Sequence, residues 1–278
     1  MQTITRFDEL RQALNVLSRP IGLVPTMGYL HEGHLSLVRA GRQECASLVV
    51  SIFVNPPQFG PTEDFSDYPH DLKRDQSKLE KEGVEVIWAP TRELMYSPGY
   101  QTWVNVQEIT QPLEGRFRPG HFQGVATIVA KLFNAVQPHK AYFGEKDIQQ
   151  AMVIRRMTKD LNYPVDIVIC PIVREPDGLA TSSRNEYLKP EERQAATVLY
   201  RALSNASLAF EKGERDADGL REIVIQTVRQ EPLARLQYVS CADPDTLNEL
   251  KARLEGKALL SLAVYVGRTR LIDNQVLG

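Results

Sequence analysis

Two textures of apolar residues alternate along the first two-thirds of the chain. Short continuous apolar runs at 21–24, 48–54, 84–88, 140–143 and 165–169 read as buried strands. Between them, near 33–44, 72–81, 125–136 and 148–160, apolar positions recur three or four apart, the spacing of amphipathic helices. Ahead of the first strand, Phe7, Leu10, Leu14 and Leu17 share a helical face, with Thr5 and Asp8 as candidate capping groups. Strands apolar throughout, alternating with helices, predict a parallel sheet covered on both faces. After Arg184 the texture changes. Residues 190–210 read as one long helix with Ala195, Val198, Leu199, Ala202, Leu203, Ala206 and Phe210 on its apolar side. A second helix follows at 218–228, and 236–239, 258–266 and 269–272 read as clustered strands. The expected organisation is a doubly wound α/β domain over 1–173 and a smaller α+β lid domain over 174–278. No Gly-x-Gly-x-x-Gly follows any strand, which argues against the dinucleotide-binding version of this architecture.

Composition narrows the class. The 278 residues are 42% hydrophobic and 24% charged, and a net charge of -2 supplies no global attraction for nucleic acid. No apolar run approaches a membrane span and residues 1–5 start no secretory signal, while Cys45, Cys170 and Cys241 are few, scattered and odd in number. A cytoplasmic location is therefore expected.

The candidate chemistry lies at the strand ends, where ligands of open α/β sheets bind. The first strand runs into Met27-Gly28-Tyr29-Leu30-His31-Glu32-Gly33-His34 and then a helical segment. A strand, a Gly-containing turn and a helix start form an anion site, because the first helical amides lack internal partners and carry the positive dipole end. His31 and His34 stand three apart and would face one ligand from the first turn. A zinc pair would need a third ligand, and the His-Glu-x-x-His spacing is absent, so a phosphate is the favoured partner. After the second strand, Asn55 and Gln58 offer neutral amides that suit hydroxyl and carboxylate groups. After the run at 140–143, Gly144-Glu145-Lys146-Asp147 brings a compact cation and a carboxylate, with Gln149 and Gln150 on the next helix. Further on, Val173 leads to Thr181-Ser182-Ser183-Arg184, where hydroxyls beside an arginine can close on outer phosphates.

These residues resemble the pantothenate synthetase family of the His-x-Gly-His nucleotidyl-transfer superfamily. The resemblance is carried by Pro25-Thr26-Met27-Gly28-x-Leu30-His31-Glu32-Gly33-His34, Phe53-Val54-Asn55-Pro56-x-Gln58-Phe59, and Glu63-Asp64-Phe65 with Tyr68-Pro69. It continues through Arg118-Pro119-Gly120-His121-Phe122-x-Gly124-Val125, Phe143-Gly144-Glu145-Lys146-Asp147-x-Gln149-Gln150, and Val173-Arg174-Glu175 with Asp177-Gly178-Leu179-Ala180 and Ser182-Ser183-Arg184-Asn185. It implies a Rossmann-like first domain and ATP-dependent condensation of pantoate with β-alanine through a pantoyl adenylate, releasing pyrophosphate and then AMP. It also implies a homodimer, with magnesium arriving on ATP. By the same resemblance His34 is the proton donor and His31 assists at the phosphates, with Lys146 and Arg184 completing the catalytic set. The ATP site would comprise Met27, Gly28, Tyr29, Leu30, His31, Glu32, Gly33 and His34 with Gly144, Glu145, Lys146 and Asp147. Val173 would meet the adenine, and Thr181, Ser182, Ser183 and Arg184 the outer phosphates. Gln58 and Gln150 would hold pantoate, Gln58 also lying near β-alanine.

Three positions depart from the family pattern: Thr181 replaces a usual methionine or leucine, Tyr29 an alanine or asparagine, and His70 an arginine. Because an acyl adenylate must be shielded from water, the 178–184 segment is the expected closing element. Rival readings are an adenylyltransferase of the same superfamily, which would not be expected to carry the paired amides, and a non-catalytic nucleotide sensor, against which His31, His34, Lys146 and Arg184 argue.

Overall fold

The computed structural model describes residues 1–61 and 63–278, which form two compact units: 1–145 with 149–171, and 146–148 with 172–278. The second unit thus begins two residues before the expected 174. It takes in Val173 and also the three residues 146–148, which lie within the expected 1–173 domain.

Unit 1 contains, in chain order, β1 (Gln2–Ile4), α1 (Phe7–Val16), β2 (Ile21–Thr26), α2 (Glu32–Glu44), β3 (Ser47–Ile52), α3 (Leu72–Lys81), β4 (Val86–Trp88), α4 (Arg92–Met95), α5 (Glu114–Phe117), α6 (His121–Val136), β5 (Lys140–Gly144), α7 (Ile148–Asp160) and β6 (Asp166–Cys170). All six strands are parallel, in the order β1-β4-β3-β2-β5-β6. Alternate residues of each strand feed opposite faces. Leu23, Val49, Val86 and Ala141 pack with residues of α1, α6 and α7, whereas Val24, Leu48, Val50 and Tyr142 pack with Leu37 and Val38 of α2 and Leu79 of α3. This is the doubly wound, Rossmann-like sheet that the alternating textures predict.

The strand order reverses between β2 and β5, the place where such sheets bind ligands. β2 pairs with β3 along its whole length but with β5 only at Gly22 and Leu23. Pro25, which has no N–H, lies beyond that short ladder, so the missing donor breaks no pairing with β5. Beyond Leu23 the two strands stop bonding, and the Met27–His34 run follows the end of β2 at Thr26.

Unit 2 contains α8 (Pro190–Ala195), α9 (Val198–Glu211), α10 (Ala217–Arg229), β7 (Ala234–Ala242), β8 (Ala258–Val266) and β9 (Thr269–Leu277). The three strands form an antiparallel sheet in sequence order and share a core with α9 and α10.

Several local expectations need correction. α1 starts at Phe7 after an extended Arg6 with no side-chain cap, and Asp8 is taken up by the Arg6 guanidinium instead (3.1 Å). The single helix expected at 190–210 is two, divided at Ala196-Thr197, where the Thr197 hydroxyl and N–H both donate to the Gln194 carbonyl (2.8 and 3.3 Å) in place of a regular helical ladder. β1 is a three-residue edge strand with only Ile4 buried, too short to register as a pattern. β9 runs five residues beyond Ile272, to Leu277.

Candidate functional site

The Met27–His34 run of unit 1 is shaped from below. Gly28 and Tyr29 take positive φ values of 87° and 50°, and a side-chain carbon at Gly28 would sit 3.0 Å from Ile52 and 3.2 Å from the Asp75 carboxylate. The turn is anchored by three residues of α3. Asp75, buried to 1% exposure, accepts from the amides of Tyr29 and Leu30, each at 2.7 Å. Lys78 Nζ donates to the Leu30 carbonyl (2.5 Å), and the Arg74 guanidinium lies over the Tyr29 ring at 4.1 Å. Burial pushes the Asp75 carboxyl above its ordinary range while the two amides pull it down. The unusual Tyr29 therefore has a place in the fold, held under Arg74. The Tyr29 and Leu30 amides are already committed to Asp75, so anion-facing amides must come from the helix start.

There, His31 precedes the first turn of α2 in an extended conformation and its carbonyl accepts from His34 and Leu35 (2.9 and 3.1 Å). The His31 and His34 rings lie side by side, centroids 4.0 Å apart, as their spacing predicts. The His31 backbone N–H donates to His34 Nδ1 (3.4 Å), which leaves Nε2 to carry the hydrogen of the neutral ring. The Glu32 carboxylate pairs with Arg39 of the same helix.

Gln58 sits at the end of a short 3-10 turn (Pro56–Gln58) after β3, buried, with its amide orientation set by neighbours. Asn55 Nδ2 donates to Gln58 Oε1 and to the Gly124 carbonyl, both at 3.1 Å, and the Tyr96 hydroxyl donates to Asn55 Oδ1 (2.7 Å). Gln58 Nε2 is directed at Met27 Sδ (2.9 Å), which joins the two strand-end segments.

His121, which opens α6, holds the turn from the other side. Arginine only donates, so His121 Nε2 accepts from Arg118 (3.2 Å) and Nδ1–H donates to the Gln58 carbonyl (2.8 Å). Arg118 is itself clamped by the Glu63 carboxylate through two 2.7 Å bonds. Burial alone would raise the Glu63 carboxyl, but the guanidinium more than offsets it and holds that carboxyl below its ordinary value. Burial, aided by Arg118, lowers His121 from about 6.5 to about 4. The neutral ring is thus favoured in the fold, and the unfolded chain binds more protons between those pH values. Stability is expected to fall as pH drops from 6.5 towards 4, by at most about 3 kcal/mol from this group. Urea unfolding of His121→Asn should show a flatter dependence across that window; equal slopes for variant and parent would contradict the assignment.

The two glutamines of α7 separate clearly. Gln149 is consumed by structure, its Oε1 accepting from the Glu114 amide (2.9 Å) and its Nε2 donating to the carbonyls of Ile109 and Pro112 (3.0 and 2.8 Å). Gln150 lies half-buried beside it. Gly144 ends β5 with open space where a side chain would project.

Glu145, half-buried, is the last residue of unit 1 before the 146–148 segment, and unit 2 holds Lys146, Asp147, Val173 and residues 181–184. Lys146 and Asp147 lie in a 3-10 turn, Nζ to Oδ1 3.5 Å. Val173 opens a tight hairpin bridged at Arg174 and Ala180, with the Glu175 amide donating to the Leu179 carbonyl (2.8 Å). The Thr181 amide and hydroxyl both donate to the Val173 carbonyl (3.0 Å each), so the unusual threonine adds a bond that methionine or leucine could not make. Ser182 Oγ caps the Arg184 amide (3.3 Å), and Ser183 is buried. Gly178 is required: φ is 93°, and a side-chain carbon would lie 1.9 Å from the Tyr200 ring. With Asn185 donating to Glu175 and to the Ala180 carbonyl (2.9 and 3.1 Å), and Arg193 gripping Glu175 and Asp177 (2.6 and 2.7 Å), 178–184 is cross-tied within its unit.

Among the described residues, no group of three or more His, Cys, Asp or Glu side chains is placed to hold a metal ion, and no helix is long and apolar enough to cross a membrane.

A family model described as pantoate–β-alanine ligase matches residues 2–276. A pantothenate synthetase from Roseiflexus castenholzii is 58% identical over 277 residues, covering 100% of this chain and 99% of the relative. One from Acetivibrio thermocellus is 53% identical over 276 residues, covering 99% and 98%. Among solved structures, pantothenate synthetase from Thermus thermophilus superposes with a TM-score of 0.94 at 47% identity, covering 99% of each chain. A pantoate–β-alanine ligase from Francisella tularensis complexed with β-γ ATP and β-alanine superposes with a TM-score of 0.83 at 34% identity, covering 99% of this chain and 97% of that one.

Proposed function

This chain belongs to the pantoate–β-alanine ligase family, and on that premise we propose that it makes pantothenate from (R)-pantoate and β-alanine through a pantoyl adenylate. The observation that carries the proposal is the His31–His34 ring pair at the start of α2, at the reversal of strand order. Such a helix start supplies amides and a positive dipole end for phosphate, and the paired rings add donors where charge develops on phosphorus oxygens.

In the first step a pantoate carboxylate oxygen attacks the α-phosphorus of ATP and pyrophosphate leaves. His34 donates to the phosphate oxygens from Nε2 while His31 assists, and Lys146, Ser182, Ser183 and Arg184 neutralise the outer phosphates. Gly144 and Asp147 take the ribose and Val173 the adenine. Pantoate is held by Gln58 and Gln150. A thioether is a weak acceptor, so the Gln58 N–H directed at Met27 gains by turning to a pantoate or β-alanine oxygen. In the second step the β-alanine amine attacks the acyl carbon and AMP departs with the oxygen that joined phosphorus to carbon. ATP enters as its magnesium complex, the metal offsetting phosphate charge as part of that substrate. The buried free thiols Cys45, Cys170 and Cys241 support a reducing, cytoplasmic compartment. The homodimeric state is proposed from the family resemblance.

The direct test is product timing. Pyrophosphate release should require pantoate, and AMP should appear only when β-alanine is added. An adenylyl group retained in the final product would instead indicate nucleotidyl transfer. A second expectation concerns specificity: Gln150→Ala should raise the pantoate KM about tenfold or more, since a lost amide leaves substrate polar groups unpaired, with the ATP KM largely kept. Lost ATP binding with unchanged pantoate dependence would place Gln150 in the other pocket.

A further inference from the structure

Asp273 and Asn274 interrupt the apolar pattern of β9, yet they are 2% and 3% exposed. Polar side chains so deep in a core strand destabilise a fold unless they are bonded, so their partners are informative. The Asp273 carboxylate receives both arms of the Arg174 guanidinium (2.6 and 3.0 Å) and the Asn274 backbone N–H (2.8 Å). The same guanidinium donates to the carbonyls of Gly178 (3.1 Å) and Asn274 (3.4 Å) and lies 4.8 Å over the Tyr200 ring. Asn274 Nδ2 donates to the backbone carbonyl of Lys146 at 2.9 Å, a bond between residues 128 apart in sequence. Residues 146–148 are flanked on both sides by unit 1, yet they belong to unit 2.

We propose that Asn274 is a positioning residue for Lys146, and that the Arg174–Asp273 pair behind it sets the lysine and the Val173–Arg184 hairpin in one fixed frame. The inference rests on the reading of Lys146 as a phosphate-binding cation. A lysine is a point charge on a flexible four-carbon stem, so its effect on a phosphate depends on how firmly its backbone is held. The 3-10 turn around Lys146 is three residues long, and β9 supplies the anchor that so short a turn cannot supply itself. Through Arg174, the same strand also holds Gly178 and with it the hairpin that leads to Ser182, Ser183 and Arg184.

Breaking the Arg174–Asp273 pair would leave a buried charge uncompensated and threaten the fold, so the informative variant is Asn274→Ala. In the full chain it should raise the ATP KM about tenfold, as expected for one lost buried hydrogen bond, and leave the β-alanine KM unchanged. In a Lys146→Ala background the same substitution should change the ATP KM less than about twofold, because no lysine remains to be misplaced. Hydrogen exchange of the 146–148 amides should quicken in Asn274→Ala while α9 and α10 stay protected; Asn274→Ser, which keeps a hydroxyl donor, serves if the alanine variant does not fold. A full tenfold factor persisting on Lys146→Ala, or unchanged exchange at 146–148, overturns the positioning role. If Lys146→Ala itself leaves ATP dependence intact, the phosphate-binding reading fails instead, and the inference fails with it.

Discussion

Replacing His34 by alanine is expected to slow pantoate-dependent pyrophosphate release about 100-fold or more, while ATP still binds with little change. The expectation follows from how the ring is held. Its Nδ1 accepts from the His31 amide, its ring centroid lies 4.0 Å from that of His31, and both residues stand at the start of α2. A donor fixed in this way gains most when negative charge grows on the phosphate oxygens during attack, so the loss falls on rate and hardly on ground-state affinity. Near-normal pyrophosphate release by His34→Ala would remove the residue from the chemistry.

Gly124→Ala should damage the pantoate side of the reaction more than its position inside α6 suggests. Alanine is ordinarily better than glycine in a helix by about 1 kcal/mol. Here a methyl would lie 2.6 Å from the Gln58 nitrogen and the Pro57 carbonyl carbon and 2.7 Å from the Pro57 oxygen, all backbone atoms of the turn that presents Gln58. The turn must retreat from α6, which strains the His121–Gln58 bond (2.8 Å) and the Asn55–Gly124 bond (3.1 Å). Overpacking of this kind costs about 1–3 kcal/mol, so the variant should unfold at lower temperature than the parent. The pantoate KM should rise about tenfold or more as Gln58 is displaced, with ATP dependence kept. A variant as stable as the parent with an unchanged pantoate KM would show that the close approach of α6 is not what places Gln58.

Much of unit 1 is legible because its strands are apolar throughout and its helices are regular. α3 and α7 fall on the residues that the periodicity marks, and β2, β3 and β5 differ by one or two residues at their ends. The histidine pair is legible in part: His34 falls on the first turn of α2 as expected, whereas His31 is the extended residue just before it, and the two rings meet across that helix start. The supports of that pair are not legible. Asp75 lies in the charged helix at 72–81, and no local signal says that its carboxylate turns inward to amides 45 and 46 residues earlier. Spacing alone cannot separate Gln149 from Gln150; what separates them is the carbonyls of the 109–112 segment, which only the folded chain brings to Gln149. His121 and Gly124 are visible as members of a motif, but their common task of gripping the Gln58 turn becomes apparent only when α6 lies against it. In unit 2, Asp273 and Asn274 truncate β9 in the sequence pattern because buried polar residues look like a strand end until their partners, Arg174 and the Lys146 carbonyl, are seen.

The central claim, that carboxylate activation runs through an acyl adenylate, is tested most directly by isotope transfer. Pantoate labelled with oxygen-18 in both carboxylate oxygens should be turned over to completion with ATP and unlabelled β-alanine, and the AMP examined by mass spectrometry. Attack of the carboxylate on the α-phosphorus followed by amine attack on the acyl carbon predicts one labelled oxygen in each AMP and the other in the amide of pantothenate. AMP that carries no label after full turnover would contradict the adenylate.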